Sequence, residues 1–243
     1  MVLPKFNPAC AIAVEPIFDD FRVAIVDNAL LNGEELVEFA ARTIDTFRVN
    51  MANNYPGPEL VLPPAVADAA RNFFVERIQP LFGLADTAPQ GHARLSIATQ
   101  PPETLYPHQR LCHTDDKTCP PGMRAMAGVL YLFHNPELGG TAFYRHRPGT
   151  DYAATAMEYS RADADRKREL AASYPFLAAP PCYLTGSNEF VELQRVIPAA
   201  WNRMIFYRGD VPHTPHLTRP DLLLRNPRRG RLSMNLFLRC AIS

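Results

Sequence analysis

Gln109-Arg110-Leu111-Cys112-His113-Thr114-Asp115 is the stretch from which the fold can be read. On an extended chain, side chains i and i+2 share a face. His113 and Asp115 therefore offer one nitrogen and one oxygen to a single metal ion. About a hundred residues later, Gly209-Asp210-Val211-Pro212-His213 supplies a second imidazole. For all three to meet, strands far apart in sequence must roll up around a common point. The expectation is a mainly β core with flanking helices and the metal inside.

The flanking sequence alternates as strands do. Residues 92–99 put Leu95 and Ile97 on one face, and Met126 to Phe133 is a near-continuous apolar run. Glu137-Leu138-Gly139-Gly140 reads as a turn, and Thr141 opens the next strand. Further strands are expected at 188–196, 203–207 and 231–239. In the last, Leu232, Met234, Leu236 and Leu238 alternate with Arg231, Ser233 and Asn235. A buried polar row needs a partner, because each unpaired group costs about 1–3 kcal/mol. A bound dianion would be one.

Upstream, residues 21–27 read as a strand. Apolar spacing predicts helices from about 33 to 48 and 65 to 82, packed outside a sheet. The Pro- and Gly-punctuated 49–63 reads as loop. Residues 145–187 interrupt the strands with a charged, Ala-rich helix over 161–172. This insertion is either a substrate lid or a surface excursion. The chain is thus expected to be one domain, 1–243, with supporting elements in 1–91 and the core in 92–243.

Composition narrows the classes. The formal net charge is zero, which argues against a nucleic-acid-coating protein. Arginine outnumbers lysine 22 to 3, a bias that suits anion recognition but also follows from codon usage. Five scattered cysteines without a CxxC fit free thiols in a reducing compartment. The N-terminus does not read as a signal peptide and no window reads as a membrane span, so a cytoplasmic setting is expected.

The order of parts resembles the iron(II)/2-oxoglutarate-dependent oxygenases, in particular the prolyl-4-hydroxylase-like branch. It runs His113-x-Asp115, strand 129–132, Gly139-Gly140-Thr141, strand 204–207, His213, then Arg231-x-Ser233. The resemblance covers roughly residues 92–240 and implies a double-stranded β-helix, or jelly roll. It implies iron(II) held by His113, Asp115 and His213. It also implies 2-oxoglutarate as cosubstrate, with Arg231 and Ser233 meeting its far carboxylate and Tyr131 adding a hydrogen bond. The implied reaction is hydroxylation of an unactivated C–H bond in a small molecule or peptide, releasing succinate and CO2. A carboxylate in the triad argues against the halogenating subgroup.

Three departures from the pattern are visible. Arg231 follows His213 by 18 residues, and Arg219, Arg225, Arg228 and Arg229 crowd the gap as rival clamps. Arg110 stands where that branch often has Tyr. His216 competes with His213 as ligand. His92, His108, His134 and His146 read as surface or hydrogen-bonded polar residues, and Cys112 should point away from the metal. Other readings of the triad are a jelly-roll isomerase or sensor, or a zinc hydrolase. A homodimer is left open.

Overall fold

The computed structural model describes residues 2–50, 53–115 and 118–243. In chain order the strands and helices are β1 (Ala11–Phe18), β2 (Phe21–Asp27), α1 (Gly33–Thr43), β3 (Arg48–Val49), β4 (Pro58–Val61), α2 (Pro64–Arg77), β5 (Gln90–Ala98), β6 (Met123–Tyr131), β7 (Thr141–His146), α3 (Tyr152–Arg161), α4 (Ala164–Ser173), α5 (Pro175–Ala178), β8 (Val191–Ile197), β9 (Met204–Arg208), β10 (His213–Pro215) and β11 (Arg231–Ala241).

The strands form two antiparallel sheets. The larger has the order β1-β2-β9-β6-β11-β5-β4-β3 and the smaller β10-β7-β8. An isolated bridge between His113 and His213 extends the smaller sheet beyond β10. From β5 onward the chain winds between the sheets. It passes from β5 (large) to His113 (small), β6 (large), β7 and β8 (small), β9 (large), β10 (small) and β11 (large). That winding is a double-stranded β-helix.

Strand β11 shows how the sequence builds the layers. Its even residues Leu232, Met234, Leu236 and Leu238 are buried in one cluster with Leu36, Val37 and Ala40 of α1 and Val66, Ala70, Phe73 and Phe74 of α2. Full burial of such a side chain contributes about 1.5–3 kcal/mol, so this contact fixes the helices on the outer face. Its odd residues face the other sheet. There a second cluster, including Phe143, Ile205 and Tyr207, fills the space beside the site.

Several expectations differ in detail. The first helix stops at Thr43. Thr43 Oγ1 bonds the Phe39 carbonyl and Thr46 Oγ1 the Thr43 carbonyl, so hydroxyls compete with the helical ladder. The second stops at Arg77, and Pro80 sits in the short 3-10 turn that follows. The expected loop 49–63 contains β4, whose Glu59, Leu60 and Val61 pair with Ser96, Leu95 and Arg94 of β5. Pro58 is its first residue, a position where a strand tolerates proline. The helix expected at 161–172 is α4, which begins only after Asp163 accepts from Arg166 N and caps it, and a further helix, α3, precedes it. Nor is His113–Asp115 itself a strand: only His113 makes a bridge, and Asp115 sits at a bend. No helix among the described residues is long and apolar enough to cross a membrane.

Candidate metal centre

Backbone pairing positions the three candidate ligands. His113 N donates to His213 O at 3.0 Å and His213 N to His113 O at 2.9 Å, so the two imidazoles leave the two sides of one rung. Asp115 N donates to Gly209 O at 2.7 Å, which brings its carboxylate under them. His113 Nε2 is 3.7 Å from Asp115 Oδ1, and His213 Nε2 is 3.4 Å from Asp115 Oδ2. One donor atom from each of the three lies within 4.8 Å of the others, a set that could hold a metal ion. One ion bound to each donor at about 2.0–2.2 Å bridges such spacings.

The neighbours of the cluster aim it. His213 Nδ1 lies 2.9 Å from the Val211 carbonyl. That contact assigns the proton to Nδ1 and leaves Nε2 as the ligand atom. The Tyr207 ring stands edge-on to the His213 ring at 4.7 Å. A Cβ on Gly209 would come within 3.1 Å of Asp115 Cβ, so the backbone closes tightly behind the carboxylate. His216 is not part of the cluster; its Nε2 is 3.2 Å from the Thr185 carbonyl. Cys112 packs with Leu111, Ala142 and Tyr144 in a separate cluster, and burial pushes its thiol up to about 12. A neutral buried thiol is no competing ligand.

The cluster opens into a cavity of about 640 Å³ between the sheets, which Arg231 and Tyr55 also line. Arg231 is 2% exposed, and its Nη2 donates to the Gly140 carbonyl at 2.9 Å. Arg231 Nε, Ser233 Oγ and Tyr55 Oη are buried, and none makes a well-formed hydrogen bond. They are close together. Burial pushes the Tyr55 phenol up, while the Arg231 charge and the Ser233 hydroxyl beside it pull the other way. One guanidinium and two hydroxyls with unmade bonds suit a carboxylate, which accepts from all three.

Tyr131 is fully buried, and its hydroxyl pairs with Thr141 Oγ1 at 2.8 Å. Thr141, not Tyr131, lines the cavity. The rival arginines lie outside. Arg219 pairs with Asp221 and Glu137, and Arg228 with Glu38. Arg225 and Arg229 are exposed. Tyr55 is the residue that sequence reading missed. It sits in the punctuation of Asn53-Asn54-Tyr55-Pro56-Gly57, where its only signal is a lone aromatic in a polar turn. His92 is exposed and hydrogen-bonded to Arg94, as expected, and it also lies on the cavity wall.

A protein-family model described as "Family of unknown function (DUF6445)" matches residues 8–238. The chain belongs to that family. No curated protein matches it in sequence. Among solved structures it is similar to EvdO2 from Micromonospora carbonacea var. aurantiaca, at 14% identity and a TM-score of 0.46 over 90% of this chain and 86% of that one. It is similar to a Pseudomonas putida prolyl-4-hydroxylase at 18% identity, TM-score 0.38, over 95% and 93%. A third is HygX from Streptomyces hygroscopicus with nickel and 2-oxoglutarate bound, at 10% identity, TM-score 0.43, over 90% and 82%. All three are distant, and function has to be read from this family member's own side chains.

The insertion in this DUF6445 chain is a buttress. Residues of α3, α4 and α5 pack on Leu111, Cys112 and Tyr144, behind the segment that carries His113. No described residue of 145–187 lines the cavity. Arg110 makes the joint: its Nη2 donates to Phe176 O at 3.1 Å and Ala179 O at 3.0 Å, capping the carbonyl end of α5. The guanidinium also lies 5.0 Å over the Phe176 ring.

Proposed function

We propose that this chain is an iron(II)- and 2-oxoglutarate-dependent oxygenase that hydroxylates an unactivated C–H bond of a small molecule or peptide. One observation supports this best: a two-histidine, one-carboxylate cluster shares a cavity with Arg231 and Tyr55, and Ser233 beside them completes an unsatisfied guanidinium–hydroxyl set. Two imidazoles and a carboxylate on one face of an ion leave positions open for a chelating keto acid. The Arg231, Ser233 and Tyr55 donors then meet its far carboxylate. When bound, iron(II) and 2-oxoglutarate would use dioxygen as the oxidant, one oxygen atom going to succinate as CO2 leaves and the other into the C–H bond.

The chain's own part is positional. The Val211 carbonyl locks the His213 ring, and the Gly140 carbonyl holds one arm of Arg231 so that the rest of the fork faces inward. Tyr207 and Phe143 wall the His213 side and keep water off it. A zinc hydrolase has no use for a clamp specific to a distal carboxylate.

Anaerobic calorimetry with iron(II), then 2-oxoglutarate, tests this reading. The expected result is one metal per chain, 2-oxoglutarate binding that depends on the metal, and succinate release once oxygen is admitted. Tight zinc binding with no affinity for 2-oxoglutarate would overturn it.

A further inference from the structure

The cavity has a second polar end, beyond the metal cluster from Arg231. On β11 the residues facing inward after Ser233 are Asn235, Phe237 and Arg239. Their partners on β5 are Arg94, His92 and Gln90 respectively. Arg239 also pairs across to Ala125 of β6, the residue packed against Gly209 and Asp115. Arg231 and Arg239 are eight positions apart on one strand, about 26 Å at the usual rise. Tyr207, whose ring stands against His213, pairs with Ala127 of β6, which pairs with Phe237, so the metal cluster lies between the two arginines along that wall.

This end is basic and built. Phe237 is a platform: the His92 ring stacks on it at 5.1 Å and the Arg94 guanidinium lies 5.4 Å from its centroid. Arg94 Nη1 is 3.2 Å from Glu59 Oε2, and its Nη2 is 3.2 Å from His92 Nε2. Its Nε is buried without a hydrogen-bond partner. Glu59 also accepts from Ser96 Oγ at 3.0 Å and from Asn53, so that carboxylate is held from three sides and serves as the anchor of Arg94. Since Arg94 donates to Nε2, His92 is a neutral ring with Nδ1 as its remaining donor. Burial, then the charges of Arg94 and Arg239, push the His92 pKa down. Both guanidiniums thus border the His92 ring, Arg94 with Glu59 as its counter-ion and Arg239 donating to Thr118 Oγ1 at 3.2 Å.

We propose that this end of the cavity anchors the primary substrate by an anionic group, a carboxylate or a phosphate, recognised by Arg94, Arg239 and His92. The substrate is then a small organic acid or phosphate ester whose remaining carbon skeleton extends toward His113, Asp115 and His213. This rests on the oxygenase reading for the metal and for 2-oxoglutarate, but the anion preference is measurable without either.

Fluorine NMR line broadening of 4-fluorobenzoate, 4-fluorophenyl phosphate and uncharged 4-fluorobenzyl alcohol tests it. Each probe is titrated with the full-length protein, metal-free and loaded with Mn(II) and saturating 2-oxoglutarate. At least one anion is expected to bind about tenfold more tightly than the alcohol, the worth of one charge-assisted hydrogen bond. Comparing the two anions tells carboxylate from phosphate. Arg239→Gln, on a partly exposed side chain, and Arg94→Gln should each remove most of that preference while 2-oxoglutarate affinity stays unchanged. Arg231→Met should do the reverse. Equal affinity for the alcohol, or a preference that survives both Arg94→Gln and Arg239→Gln, overturns the proposal. A failure of Mn(II) to bind, with the anion preference intact, counts against the oxygenase reading and leaves this subsite standing.

Discussion

Tyr55 carries two expectations of opposite sign. Its hydroxyl is buried and unbonded, so Tyr55→Phe removes a desolvated group and should stabilise the unliganded protein by about 1 kcal/mol. The same change deletes a donor from the carboxylate clamp and should weaken 2-oxoglutarate binding several-fold. Thermal melts without ligand and calorimetry with it read the two effects separately. A second contrast divides the cavity by role. Asp115→Ala should lower metal affinity by about 100-fold or more, beyond what loss of an outer partner costs. Arg231→Met should leave metal affinity intact and raise the apparent KM for 2-oxoglutarate. If it does not, the clamp lies elsewhere.

At this scale the sequence was legible where strand register exposes polar residues on a fixed face. That is why Arg231 and Ser233 could be picked out; His113, Asp115 and His213 stood out by their spacing and order along the chain, although 113–115 is not a strand. Tyr55 could not, because its place depends on how a loop folds over the core. Gln109 Nε2 holds the Tyr55 carbonyl at 3.0 Å, and no local pattern announces that bond. Choosing Arg231 from its neighbours needed burial, which spacing alone does not supply.

Among the elements, the junction after β9 closes tightly behind a candidate ligand. Gly209→Ala would press a methyl group against Asp115 Cβ and Ala125 Cβ, at 3.1 and 3.0 Å. The expected outcome is a loss of about 1–3 kcal/mol in stability with a fall in metal affinity, since the displaced atom belongs to a ligand. Metal titration of the refolded variant checks it. Arg110→Met should undock α5 by leaving the Phe176 and Ala179 carbonyls without their donor. Limited proteolysis within 152–178 should then speed up, with metal affinity little changed. The alternating β11 and the apolar β6 were readable because burial on one or both faces leaves a periodic trace. β1 was not, since most of its residues are exposed or half-exposed and no clean alternation forms. β4 was hidden by the prolines around it. Whether 145–187 covered the cavity or braced it was settled by what packs on Leu111 and Tyr144, contacts between residues far apart in sequence.

For the molecule as a whole, the two sheets matter less singly than through the way one chain alternates between them. His113 and His213 form one rung although about a hundred residues separate them. A contact so remote along the chain is slow to form, because the intervening loop must close first. The ion-binding centre therefore cannot exist in any half-made intermediate: it is born only when the last turns of the roll are in place. In a refolding experiment, cobalt(II) absorption should lag behind the recovery of backbone circular dichroism. Metal uptake would then act as a proofreading signal, marking chains that have finished folding from those that have not.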